Sequence, residues 1–344
     1  MKYLNKYLGC LIGGAAGDAL GYAIEFSSID EIKNKYGENG IQKYDLINGK
    51  AIVSDDTQMT MFTANALLNA KYQNIDYINS IRESYKSWLF TQNNIYDNNR
   101  KKDFWIMNEP NLFKRRAPGC TCISSISCGA NGTIEKPVNN SKGCGGVMRV
   151  APIGLFFDEN SAENAGLLAA QSCALTHGHE LGYIPCYFIA YLINLLSHSD
   201  TINIKDAVMQ ALSATSKKFV ICKSINYFIK LINKAIDLSE SNEKDLNAIK
   251  ILGEGWVAEE TAAIAVYCSL KYSNDFDKAI RTSVNHSGDS NSTGAVTGNI
   301  LGSYIGIDNI PKSYIDNLEF KDMLYDLSWD LCANKIEECR EKYD

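Results

Sequence analysis

Apolar residues recur at helical spacing along most of this chain. Leu8, Leu11, Ile12, Ala15, Ala16 and Ala19 share one face of a first helix; Met59, Phe62, Ala66 and Ala70 share one face of a second. Ile78, Ile81, Tyr85, Trp88 and Leu89 do the same in a third. The pattern predicts further helices at roughly 161–175, 180–197, 204–215, 221–237, 256–272, 275–284, 291–305 and 319–340. Alternating strand patterns are nearly absent, Gly40 to Tyr44 and Lys50 to Val53 being the best short candidates. The expected fold is all-α.

Two stretches depart from this pattern. Residues 92 to 147 are rich in Asn, Cys, Gly, Pro and Lys with little periodicity, and a loop of that length points to function. Gly294, Gly298 and Gly302 recur every fourth residue in a predicted helix, which lets a neighbouring helix approach closely. The polar flanks argue against a membrane dimer motif there.

The run Leu181 to Leu196 is the most apolar, but it contains Pro185 and Asn194 and is short for a span; it reads as a helix buried on all sides. The N-terminus lacks the apolar core and cleavage site of a secretory signal. Among 344 residues there are only 6 prolines and no Gly/Ser-rich spacer, so one domain spanning 1–344 is expected. The net charge of −6 offers no footprint for a polyanion, which disfavours general nucleic-acid binding. Eleven scattered cysteines suit reduced thiols in a cytoplasm, and Cys120, Cys122 and Cys128 lack zinc-ribbon spacing.

The candidate chemistry is concentrated in a few polar clusters. Ser54-Asp55-Asp56-Thr57 and Asp289-Ser290-Asn291-Ser292 each precede a helical stretch, so each sets its oxygens at a helix N-terminus. Carboxylates, hydroxyls and an amide, without Cys or His, form the ligand set of a hard cation such as Mg²⁺ or Mn²⁺. The same residues are also ordinary helix caps, and taken alone each cluster fits either reading. Asp18 and Glu25 lie in an apolar, glycine-rich setting where a carboxylate needs a partner or acquires a raised pKa. For Asp18 a buried structural role competes evenly with a functional one; Glu25, beyond the helix, reads as functional. Gly143-Cys144-Gly145-Gly146 exposes backbone N–H groups of the kind that cradle phosphate. The reading favours an internal carboxylate partner for Arg149, substrate contact or capping for His177 and His179, and a solvated His198.

Six segments in this order resemble the ADP-ribosylglycohydrolase family: Gly13–Phe26, Ser54–Met59, Arg115–Gly119, Gly143–Pro152, Thr176-His177 and His286–Gly294. Arg115-Arg116-Ala117-Pro118-Gly119 and the Ser-Gly-Asp-Ser-x-Ser-Thr-Gly form look most like its arginine-specific branch. The resemblance implies a compact helical domain around a central cleft holding two divalent cations, Mg²⁺ or Mn²⁺. It implies metal ligands at Ser54, Asp55, Asp56, Asp289, Asn291 and Ser292, and catalytic roles for Glu25, Asp55, Asp56 and Asp289. Asp18, Gly143, Cys144, Gly145, Gly146 and His177 would bind substrate. The implied reaction removes ADP-ribose from modified protein, arginine first, with the carboxylates stabilising an oxocarbenium-like transition state. One position departs: Asn291 stands where the family's usual residue is a second aspartate, and a neutral amide bridges two cations poorly. An enzyme with altered metal use, a binding protein that has lost catalysis and a substitution that traps a ligand all fit that change. The implied partner is an ADP-ribosylated protein, with an ADP-ribosylating toxin as a further one. A non-catalytic binder of such targets, or of the toxin, is the alternative. Hydrolysis of a related linkage, such as ADP-ribosylserine, is a third reading that residues 92–142 would decide.

Overall fold

The glycines at 294, 298 and 302 meet their partner in the first helix, which carries a stripe of its own at Gly9, Gly13, Gly17 and Gly21. The computed structural model describes residues 1–333 and 342–343. Among them fifteen α-helices follow one another. They are α1 (Leu4–Tyr22), α2 (Ile29–Tyr36), α3 (Asp55–Gln73), α4 (Tyr77–Asn93), α5 (Cys120–Ser127), α6 (Ala151–Phe156), α7 (Ala162–Ala174) and α8 (Glu180–Ser197). Then come α9 (Ile204–Lys218), α10 (Ile225–Ser239), α11 (Asp245–Leu252), α12 (Ala258–Lys271), α13 (Phe276–Val284), α14 (Ser290–Ile305) and α15 (Lys321–Cys332). The fold is all-α, as expected, with no strand among the described residues.

Helices α1 and α14 run antiparallel at the centre, pairing Gly9 with Gly302, Gly13 with Gly298 and Gly17 with Gly294. A Cβ added at Gly13 would lie 2.5 Å from the Gly298 carbonyl oxygen, and one at Gly294 would lie 2.5 Å from that of Gly17. The obstacle is backbone in both cases, so no rotamer change relieves it. At the end of the seam Gly21 faces the backbone of Ser290 and Asn291. Helices α3, α13 and α15 pack around α1, while α8, α12 and α13 pack around α14.

Helix α8 is a core element. It is long and apolar enough to cross a membrane, yet 83% of it is buried in the protein against α6, α7, α9, α12 and α14. Asn194, the polar residue inside it, is occupied: its amide donates to the carbonyls of Gly154 and Phe157, both at 3.0 Å.

Several expectations are corrected. Neither strand candidate forms a strand; Lys50 and Ala51 make only isolated bridges, to Ile47 and Leu318, so no ladder develops. The stretch from 92 to 147 contains two 3₁₀ turns, Trp105–Asn108 and Pro110–Phe113, helix α5 and the start of a third 3₁₀ element, Cys144–Arg149. Helix α2 carries no periodic signal because Ile32 is its one buried residue; Ser28 and Glu31 instead start it with a reciprocal capping box. Helix α6 is buried at all of its positions, which erases the polar face that a period requires. The helix expected over 319–340 begins at Lys321 and is followed to Cys332; residues 334–341 lie outside the described residues.

Gly298→Ala is expected to destabilise the protein by about 3 kcal/mol, the upper range for overpacking a core. Gly119→Ala, where an added Cβ meets open space at φ −59°, is expected to stay within about 0.5 kcal/mol of the parent. Denaturant unfolding of the two variants checks the difference.

Candidate metal centre and active site

Both polar clusters do cap helices. The Ser54 hydroxyl accepts from the Asp56 N–H at 3.1 Å at the start of α3, and Asp289 accepts from the Ser292 N–H at 3.1 Å at the start of α14. The two helix starts also meet. Ser292 Oγ donates to Asp56 Oδ2 at 2.8 Å, and the Asn291 amide donates to Ser54 Oγ at 3.1 Å and to Asp56 Oδ1 at 3.5 Å. Asp55 takes no capping role: its carboxylate accepts from the Gly119 N–H at 3.3 Å, while its own N–H donates to the Arg116 carbonyl at 3.0 Å. The Arg115–Gly119 segment is thus a backbone clamp on Asp55. Arg116 is itself anchored by Glu319 at 3.1 Å, whose other oxygen accepts from the Val53 N–H ahead of α3.

Asp18 is assigned a different part from substrate contact. It is fully buried, and its oxygens accept from the N–H groups of Ser54 and Thr57 and from the Thr57 hydroxyl. Its role is to dock the start of α3 onto α1, which follows from three donors meeting one carboxylate.

Glu25 follows the last turn of α1 and is 7% exposed, and its Oε2 has no hydrogen-bond partner. Burial, with Asp289, Asp55 and Asp18 adding repulsion, pushes its carboxyl up to about 9. Asp55 and Asp56 are raised well above the ordinary range, by burial first and then by neighbouring carboxylates; burial lifts Asp289 to about 6. No lysine or arginine forms an ion pair with these four groups among the described residues. Buried carboxylates without a counter-charge are costly, and a bound cation relieves that cost. Glu25 Oε2 and Asn291 Oδ1 are both buried oxygens lacking a donor, which fits a cation as the missing partner. No three His, Cys, Asp or Glu groups among the described residues converge as a ready-made ligand set. The convergence is of mixed oxygens, with Ser54, Ser292 and Asn291 supplying part of it, as a hard cation accepts.

The glycine loop departs from expectation. The Gly143 and Cys144 N–H groups are used internally, by Ser141 Oγ at 3.4 Å and the Trp256 carbonyl at 3.2 Å, so they are not free for a phosphate. Gly145 and Gly146 are buried; a side chain there would strike Cys122 and His177, or Cys173. Their small size serves packing. Cys144 Sγ lies 2.8 Å from Asp289 Oδ2, and burial followed by that carboxylate holds the thiol well above its usual range, so it is a protonated donor.

Arg149 finds no carboxylate among the described residues. Its buried guanidinium donates to Thr176 Oγ1 at 2.7 Å and lies 4.2 Å over the Tyr85 ring. His177 is buried at 1% exposure behind Gly145, bonded to Thr176, and is held neutral by burial and the nearby Arg149 at about 3. Its contact with substrate is therefore not prepared in this geometry. His179 caps α8, accepting from the Leu181 N–H at 2.9 Å. His198 is half-buried and bonded within the protein: the Tyr7 hydroxyl sits 2.8 Å from its Nε2.

The profile of the ADP-ribosylglycohydrolase family matches residues 1–341. The chain belongs to the ADP-ribosylglycohydrolase family. An ADP-ribosyl-[dinitrogen reductase] glycohydrolase of Rhodospirillum rubrum is 23% identical over 92% of this chain and 91% of its own length. An ADP-ribosylarginine hydrolase, Tri1, of Serratia proteamaculans is 24% identical over 97% and 81%, and ADP-ribosylhydrolase ARH3 of Homo sapiens is 22% identical over 92% and 90%. A solved structure titled ADP-ribosylglycohydrolase-related protein complex shares the fold, with TM-score 0.66 at 20% identity over 98% of this chain and all of that one.

Sequence reasoning missed the loop that closes the far side of the cluster. The Glu254 carbonyl accepts from the Asp289 N–H at 2.8 Å, and Glu260 holds that loop through the Glu254 and Gly255 N–H groups. Trp256 stacks on Phe26, rings 6.2 Å apart and 16° from parallel, beside Glu25. The expected helix start at 256 hid this; α12 begins at Ala258 and leaves Trp256 in the loop.

Asp18→Ala is expected to cost about 3 kcal/mol by orphaning buried donors. Asp55→Asn, which removes an uncompensated charge, is expected to leave stability in EDTA unchanged or raised; thermal unfolding in EDTA checks both. Raised carboxyl pKa values mean that the cation-free fold keeps protons which the unfolded chain gives up. Its stability is full below the unfolded carboxylate range and falls as pH rises through about 6 for Asp289 and about 9 for Glu25. The melting-temperature gain from Mg²⁺ or Mn²⁺ over EDTA is therefore expected to widen from about pH 5 to about pH 8.

Proposed function

We propose that this protein is a divalent-cation-dependent hydrolase that removes ADP-ribose from modified protein side chains, with ADP-ribosylarginine as its substrate. The observation that carries the reading is the buried carboxylate cluster between the starts of α3 and α14, which has oxygens to spare and, among the described residues, no cationic side chain paired to it. Family membership supports glycoside hydrolysis, and the relative named for ADP-ribosylarginine supports the arginine linkage.

Asp55, Asp56 and Asp289, with Ser54, Ser292 and the Asn291 carbonyl, are the groups that would hold Mg²⁺ or Mn²⁺. When bound, such a cation supplies Lewis acidity and positive charge for orienting the ribose hydroxyls. The carboxylates stabilise positive charge developing at the anomeric carbon as the bond to the guanidine nitrogen breaks. Glu25, with one buried oxygen that has no hydrogen-bond partner among the described residues, carries the proton exchanged during hydrolysis; its raised carboxyl suits that role near neutral pH. Asp18 and the Arg115–Gly119 clamp keep the α3 carboxylates in place.

The test is release of ADP-ribose from an ADP-ribosylarginine protein, with Mg²⁺ or Mn²⁺ and then with EDTA. Cation-dependent release is expected, and Glu25→Gln is expected to slow it at least about a hundredfold. Binding of ADP-ribose without release would replace hydrolysis with recognition of ADP-ribosylated protein. Release from ADP-ribosylserine alone would replace the arginine linkage.

A further inference from the structure

A cavity of about 410 Å³ opens where the 47–52 turn, the 109–116 segment and the start of α15 meet, and no residue of the carboxylate cluster lines it. That volume is in the range of small-molecule sites. Its walls are held by backbone. The Ala51 N–H donates to the Asn317 carbonyl at 2.9 Å and the Glu319 N–H to the Ala51 carbonyl at 3.0 Å, which joins the first wall to the last. The Lys114 carbonyl accepts from the Gln58 amide at 3.0 Å and the Arg116 carbonyl from the Asp55 N–H at 3.0 Å, which fixes the middle wall on α3. Phe320, at the entry to α15, has φ 58° and ψ 16°, a left-handed conformation that a bulky residue keeps only where its surroundings hold it.

The lining is basic, in a chain whose net charge is −6. Lys50, Lys114 and Lys321 line the cavity, and among the described residues none of their side chains forms an ion pair or hydrogen bond. The acids there are mostly engaged. Glu319 is paired with Arg116 at 3.1 Å, and Glu109 Oε1 accepts from the Asn111 N–H and side-chain amide at 2.9 and 2.8 Å. Asp322 is the one acid of the lining left without a partner among the described residues, so free lysines outnumber free acids. Grouped like charges repel, and an anion between them removes that repulsion. Ile47 and Met323 supply apolar wall, which a bare inorganic ion would leave unused. We propose that this pocket binds a small organic phosphate, with the phosphate among Lys50, Lys114 and Lys321 and the organic body against Ile47 and Met323. A phosphate dianion matches several lysines better than a single carboxylate charge does. Arg116 connects the pocket to the carboxylate cluster: its side chain lines the one, and its carbonyl holds the Asp55 N–H of the other.

The experiment is isothermal titration calorimetry of the full chain with phenyl phosphate and, separately, with inorganic phosphate, both in EDTA so that no divalent cation takes part. Saturable binding of phenyl phosphate at one site is expected, tighter than that of inorganic phosphate. The double variant Lys114→Ala/Lys321→Ala is expected to weaken it by roughly tenfold or more, the loss of charge-assisted contacts. Lys217→Ala/Lys250→Ala removes the same charge from α9 and α11 and is expected to leave the affinity within about twofold. Lys114 is exposed and Lys321 half-buried, so both double variants are expected to fold, which their thermal transitions check. No saturable binding of phenyl phosphate to the wild type would overturn the proposal, as would unchanged affinity in Lys114→Ala/Lys321→Ala. Equal losses in the two double variants would reduce the effect to net charge and overturn it as well. Inorganic phosphate binding as tightly as phenyl phosphate would overturn the assignment of an organic ligand.

Discussion

Backbone contact between α1 and α14 is the constraint on which the rest of this structure depends. Glycines at every fourth position of both helices remove the side chains that would hold the axes apart. The closeness has a chemical consequence, because the seam runs up to the start of α14, where Gly21 meets Ser290 and Asn291. Glu25 lies three residues beyond the end of α1, and Asp18, one turn before that end, docks the start of α3. One tight helix pair therefore gathers acidic residues from three distant parts of the chain.

That gathering is paid for in electrostatic free energy. Carboxylates with raised pKa values, facing one another without a lysine or arginine paired to them among the described residues, are what folding alone would avoid. Nearby charges that do serve folding are treated differently. Glu319 is paired with Arg116, and Asp18 is surrounded by donors. The difference lies in partners, since Asp18 and Glu319 are also raised by burial but are held by donors or an arginine; it supports the functional reading proposed above. Asn291 lowers the cost locally by offering N–H groups where an aspartate would add charge.

Helices with one apolar face were legible because burial on one side leaves a periodic trace, as in α4 and α10. Helices α2 and α6 left none, one being almost wholly exposed and the other wholly buried. The clusters at 54–57 and 289–292 were legible through helix-capping chemistry, and their meeting through the order of motifs along the chain. Roles set by tertiary partners were not legible. Arg149 against Tyr85, His198 against Tyr7, and Asp18 beneath Thr57 each depend on a residue far away in sequence. The glycines of 145 and 146 carried a phosphate-loop signature, yet their neighbours are thiols and an imidazole.

The α1–α14 seam sets the spacing of the carboxylate cluster proposed above to bind a cation. The most direct test is Mn²⁺ affinity in Gly294→Ala, compared with Gly302→Ala, each verified as folded. Neither residue belongs to the cluster. Gly294 lies one turn from it, and Gly302 lies at the far end of the seam. The account predicts that Gly294→Ala weakens Mn²⁺ binding by roughly tenfold or more, about 1.4 kcal/mol, with a smaller loss in Gly302→Ala. Unchanged affinity in a folded Gly294→Ala protein would contradict it.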